Sequence, residues 1–286
     1  MLCRLLARDP GRRVIVTELK VAQTSIRGSF VDDLLATLAA SHSRLKAILS
    51  RLGGEAAETP SYDEGWNVGA VMSHLGSGAQ IFGMIVAAGV QGGEAPSARE
   101  FAPLWDEWNA KPSARQVRDG IVADAAFVDQ LDALSPAERD GWKLDVFDAT
   151  RDLRGLLLMR LTEHVLHSWD IAVVEDATAT LLADAVPIVL SQLPAIVSRA
   201  AKPSSSPIEV NLLTTSPSRT MRLNVDGQGA TLSLDPVDAP ASGTVSLPAE
   251  ALIRLVAGRL DPDHCPSDVT ADGQQLDLLR SVFPGY

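Results

Sequence analysis

The sequence predicts an α+β protein in two parts, a helical bundle followed by a small α/β domain. Three observations carry that prediction. Apolar residues recur at helical spacing from Val31 to about Ala201, short alternating runs begin at Ile208, and Lys202-Pro-Ser-Ser-Ser-Pro207 between them has no apolar side chain. With 286 residues and 46% apolar content the chain can bury two cores. The expected division is a disordered extension at 1–27, the bundle at 28–201, a linker at 202–207 and the α/β domain at 208–286.

Residues 1–27 show no sustained periodicity and no caps. From Val31 to Leu52, Leu34, Leu35, Leu38, Leu45, Ile48, Leu49 and Leu52 follow helical spacing, and Gly53-Gly54 supplies the stop. A loop with Pro60 and Gly65 leads to Asn67, a good N-cap for a helix through His74 to about Ala88, ended by Gly89 and Gly92-Gly93. Two more helices are expected, from Ser97 to Asn109 and from Ser113 to Leu134; Ser135-Pro-Ala-Glu138 has capping-box form and opens a short turn. Asp152 to about Glu175 is an apolar helix, and Leu181 to Ala201 another, bent or interrupted by Pro187 and Pro194.

Beyond the linker, Ile208 to Thr214, Arg219 to Val225 and Ala230 to Leu234 read as strands of a small antiparallel sheet, with Gly243 to Leu247 as a further strand. Pro248 to Gly258 reads as a helix, and the end of the chain as strand then helix.

A net charge of −11 argues against a general affinity for nucleic acid, which needs a dense basic surface. The two cysteines, Cys3 and Cys265, form no CxxC pair, so a disulfide framework is not expected and a reducing cytoplasm is. The first twenty residues lack a secretory apolar core, and no stretch of 18 uncharged apolar residues suggests a membrane span.

The chemistry centres on Leu161-Thr-Glu-His-Val-Leu-His-Ser-Trp-Asp170. Glu163 and His167 stand at i and i+4, which puts a carboxylate and an imidazole side by side on a helix that is otherwise apolar. Alone, such a pair is equally a surface i,i+4 interaction. His74, on another apolar helix and followed by Leu75-Gly-Ser-Gly78, offers a third donor that two facing helices can bring to one point.

The stretches Trp66-Asn-Val-Gly-Ala-Val-Met-Ser-His74-Leu and Thr162-Glu-His-Val-Leu-His167-Ser-Trp-Asp170 resemble the metal-binding domain of the mycothiol-dependent maleylpyruvate isomerase family, within the DinB-like four-helix-bundle superfamily. The region from Ile208 to about Phe283 is similar to that family's small sterol-carrier-like α/β domain. The resemblance implies zinc on His74, Glu163 and His167, and mycothiol as thiol cosubstrate. Two imidazoles and a carboxylate leave tetrahedral zinc one open position, where a thiol would be deprotonated for attack on a small electrophile. Nickel, cobalt or ferrous iron would suit the same donors.

Other residues carry two readings each. Asp170 either orients His167 through its second nitrogen or pairs with Arg160 or solvent. Arg259, after a Gly258 that resembles the family's Gly-Arg ending, is either a fork for an anionic carboxylate substrate or a helix-end cation. His164 is turned from the Glu163/His167 ridge and is expected to pack or support rather than ligate. His42, among Ser41, Ser43 and Arg44, falls on a solvated helix face with no role. The expected function is a mycothiol-using isomerase or S-transferase. A zinc hydrolase using metal-bound hydroxide and a non-catalytic small-molecule-binding or regulatory protein are the alternatives.

Overall fold

The computed structural model describes residues 24–234 and 241–285, with side chains from residue 30 onward. The expectation for 1–27 therefore falls outside the described residues up to position 23, and Thr24 already opens the first helix. The chain divides into two compact units, Met1–Val174 and Glu175–Tyr286.

In the first unit, α1 (Thr24–Leu52) ends where Gly53 takes φ 76°, a left-handed conformation that glycine adopts without penalty. Asn67 caps α2 (Val68–Val90), its side chain accepting from the Ala70 N–H at 2.7 Å. Next come α3 (Ala98–Asn109), α4 (Ser113–Asp132) and α5 (Pro136–Gly141), the last opened by a capping box of Ser135 and Glu138. A hairpin of β1 (Lys143–Val146) and β2 (Ala149–Asp152) leads into α6 (Leu153–Ala172), which Asp152 caps.

Helices α1, α2, α4 and α6 form a four-helix bundle in which α1 packs on α4 and α6, and α2 on the same two. Close approach of α2 and α4 depends on glycine at the crossing: a Cβ on Gly120 would lie 2.7 Å from the Met72 carbonyl. By length and composition α2 could cross a membrane, but most of it is buried, with Val71, Leu75, Phe82 and Ile85 in the bundle core.

Two details of this unit differ from the sequence reading. Gly89 lies inside α2 rather than ending it, and Gly92 at φ 65° marks the stop. The reason for glycine at 89 is the Trp142 indole, which would collide with a Cβ there and whose Nε1 donates to the Val86 carbonyl at 2.9 Å. The β1–β2 hairpin was not expected, because its turn residues Phe147 and Asp148 take φ 53° and 60° without glycine or asparagine. The Phe147 ring, 6.3 Å from that of Phe82, ties this turn to the bundle.

The second unit starts before the expected linker. The segment 181–201 breaks at its prolines into α7 (Val186–Leu190) and α8 (Leu193–Ala200), which pack with the following sheet and helix and not as part of the bundle. The strands β3 (Ile208–Thr215), β4 (Arg219–Asp226), β5 (Gly229–Ser233), β6 (Gly243–Pro248) and β7 (Thr270–Ala271) lie in the order β5-β4-β3-β6-β7.

The sheet is mixed, not antiparallel throughout: β3 pairs parallel to β6, with Leu212 opposite Val245. Its buried face carries Val210, Leu212, Met221, Leu223 and Val245, and α9 (Ala249–Val256) packs on β3 and β6. A last helix, α10 (Gln275–Val282), also touches β6.

Candidate metal centre

The second turn of α2 carries His74, and α6 packs against α2 with Glu163 and His167 one turn apart. The three side chains converge. Glu163 Oε2 lies 3.2 Å from His74 Nε2 and 3.7 Å from His167 Nε2, and the two imidazole centroids are 4.6 Å apart at 68°. One donor atom from each residue falls within 4.8 Å of the others. A tetrahedral zinc ion with ligand bonds of about 2.0–2.1 Å holds its donors about 3.3 Å apart, so the observed separations fit one cation.

Electrostatics favour the same use. Burial, chiefly, holds His74 at a pKa of about 4, so at neutral pH its imidazole is uncharged and offers a lone pair. Burial pushes the Glu163 carboxyl up, but the hydrogen bond with His74 and the nearby imidazole of His167 outweigh it and hold the pKa at about 2. An uncharged nitrogen on His74 and an anionic oxygen on Glu163 are the protonation states a metal site requires of those two residues.

The second nitrogen of His167 is also engaged. Asp170 Oδ2 lies 2.8 Å from His167 Nδ1, and Asp63 Oδ2 lies 3.3 Å from the same atom. Two carboxylates place the proton on Nδ1 and leave Nε2 facing Glu163 and His74. Asp63 comes from the loop before α2, which is fixed in place by the Tyr62 N–H donating to the Asp170 carbonyl at 3.2 Å and by Ser61 N–H donating to Trp66 O at 2.9 Å.

From the same loop, the Trp66 indole stands 5.5 Å from the His74 ring and lies nearly parallel to His167 at 6.1 Å. Next to it opens a shallow cleft of ≈ 460 Å³ whose wall includes Pro60, Asp63, Trp66 and Ala70.

Of the two readings of Asp170, the structure shows the carboxylate on His167 and not on Arg160, which instead pairs with Asp124 at 2.7 Å. His164 is turned away from the three donors, with Nε2 2.8 Å from Asp124. His42 is not on a solvated face: its Nδ1 lies 2.7 Å from the buried Asp124, because α1 packs on α4 along that side. Arg259 belongs to the second unit, where it is buried and its Nη1 donates to the Ala257 carbonyl at 2.9 Å. Asp63 was missed, since nothing in its loop has a spacing that relates it to α6.

Residues 38–172 match the family model described as the mycothiol maleylpyruvate isomerase N-terminal domain. Among solved structures, the chain is similar to the crystal structure of the mycothiol-dependent maleylpyruvate isomerase, at 16% identity and a TM-score of 0.61 over 85% of this chain and 92% of that one. The crystal structure of a histidine-to-alanine mutant of the isomerase gives the same identity, coverage and TM-score. At that identity the likeness shows a common fold. No curated protein matches the sequence significantly.

Proposed function

We propose, from the match of the helical unit to the mycothiol maleylpyruvate isomerase N-terminal domain family, that the chain is a metal-dependent enzyme using mycothiol on a small electrophile. The observation that carries the reading is the meeting of His74, Glu163 and His167 around one point with separations suited to a single ion. Zinc bound there would supply Lewis acidity, making a thiol a thiolate at neutral pH.

The chain's own residues have separate tasks in this reading. His74 and His167 give neutral nitrogens, and Glu163 gives the one negative charge, so a divalent site keeps a net positive charge to attract an anionic sulfur. Asp170 and Asp63 hold the His167 ring and its Nδ1 proton. Trp66 covers both imidazoles and limits water near them. Addition of a thiolate to a conjugated double bond, rotation about the resulting single bond and departure of the thiolate would isomerise the bond, whereas uptake of a proton by the anionic adduct would leave a thioether. The reading therefore covers an isomerase or an S-transferase. A hydrolase is less well supported, because the neighbouring carboxylates Asp63 and Asp170 both face His167 Nδ1 and not a position for activating water.

The test is metal analysis of wild type and His74→Ala, together with a screen of electrophiles with and without mycothiol. Metal should be stoichiometric in wild type and lost in H74A, and turnover should require the thiol. Equal metal in the two proteins would remove the site, and turnover indifferent to thiol would remove the reaction.

A further inference from the structure

Beyond the three donors, the bundle core holds a second polar cluster. Asp124 of α4, 2% exposed, meets Arg160 Nη2 at 2.7 Å, His164 Nε2 at 2.8 Å and His42 Nδ1 at 2.7 Å. His164 Nδ1 in turn lies 2.7 Å from the Ser41 hydroxyl. Serine, imidazole and aspartate in a row suggest a nucleophilic relay, but Ser41 and His164 are each 1% exposed, so no substrate reaches the hydroxyl.

As a source of stability the cluster is poor. Burying an ion pair costs solvation that the attraction seldom recovers in full, and Arg160 Nε has no hydrogen-bond partner. What the pair supplies is geometry. Arg160 precedes Glu163 by three residues and His167 by seven, which places it on the face of α6 that carries both donors. Its Nη2 reaches two other helices at once, Asp124 on α4 and, at 3.0 Å, the carbonyl of Leu75 on α2, the residue after His74. Gly78, one turn beyond His74 on the same face of α2, makes room for it: a Cβ at Gly78 would lie 2.9 Å from Arg160 Nη1.

We propose that Arg160 is a positioning residue for the metal centre: its guanidinium, seated over Gly78 and held between the Leu75 carbonyl and Asp124, sets the spacing of α2 and α6 at which His74 meets Glu163 and His167. The inference rests on the metal-binding reading given above. It assigns to the buried arginine the distance between helices and leaves the chemistry to the three donors.

The experiment compares wild type, Arg160→Lys and Gly78→Ala by zinc affinity from chelator competition, by the visible spectrum of the cobalt-loaded proteins, and by urea unfolding without metal. Lysine keeps the charge but loses the planar fork, so zinc affinity falls roughly 10- to 100-fold and the cobalt ligand-field bands shift. Alanine at 78 gains helix propensity, which offsets part of the cost of shifting the buried guanidinium, so urea stability falls less than in R160K, while the displaced guanidinium lowers zinc affinity about tenfold. A loss of affinity out of proportion to the loss of stability is what a merely structural role would not produce.

Wild-type affinity in both variants, or affinity that simply follows urea stability across the set, overturns the proposal while leaving the metal site standing. Should R160K fail to fold, G78A alone decides. Failure of the wild type itself to bind zinc or cobalt overturns the metal-binding reading and the clamp with it.

Discussion

Removing the charge behind His167 should weaken the proposed metal centre without disturbing the bundle. Asp170 is fully buried, its Oδ2 is 2.8 Å from His167 Nδ1, and its backbone carbonyl, which accepts from Tyr62, is untouched by Asp170→Asn. A hydrogen bond to a charged group contributes about 1.5–3 kcal/mol, and each 1.4 kcal/mol corresponds to about a tenfold change in affinity. Asp63 reaches the same nitrogen at 3.3 Å from a position 28% exposed, so it compensates in part and is itself screened by water. The expected loss for D170N is therefore about 10- to 100-fold in zinc affinity, and for Asp63→Asn only about two- to fivefold. Chelator competition at neutral pH reads both, with urea unfolding as the control for folding. Unchanged affinity in D170N, or a larger loss in D63N than in D170N, would refute the assignment of the two carboxylates.

Acid should destabilise the metal-free protein in two steps. His74 is held at about 4 against 6.5 in the unfolded chain, so between those values the unfolded state takes up a proton that the folded state refuses, and stability falls as pH falls. The full difference corresponds to about 3 kcal/mol; urea unfolding at pH 7 and pH 4.5 should show most of it in wild type and little in His74→Gln. Glu163, held at about 2 against 4.5, adds a further loss of stability below pH 4.5, which Glu163→Gln should remove. Gly89→Ala should destabilise the protein by about 1–3 kcal/mol in urea despite alanine's better helix propensity, because the methyl meets the Trp142 indole. A neutral or stabilising G89A would mean that the α2–Trp142 contact is looser than described.

Features encoded over a few residues were legible in the sequence. Asn67 and Ser135 announce their helices because a cap acts within three residues, and Glu163 and His167 reveal themselves because i,i+4 is a contact in any helix. His74 could be added to them because α2 is otherwise so apolar that its imidazole needs a partner. What escaped depends on distant chain. Asp63 reaches His167 only after the loop before α2 has bonded to the end of α6, and the parallel pairing of β3 with β6 is made across two intervening strands. The segment 181–201 has the apolar periodicity of a bundle helix, yet that periodicity does not say which core it serves, and α8 spends it on β5. The Phe147 turn defies local turn preferences because the Phe82 contact stabilises it from outside.

His74, Glu163 and His167 are borne by helices whose hydrophobic faces already bury one another, with Leu75, Leu161 and Val165 among the residues that do so. A scaffold assembled this way differs from a zinc finger, whose chain collapses only around its ion. If the proposed site takes a cation, folding would not wait for it, so occupancy would depend on supply and on competition among available ions. The same body could be emptied and refilled, making exchange of one metal for another a gentle operation that leaves the architecture unaltered.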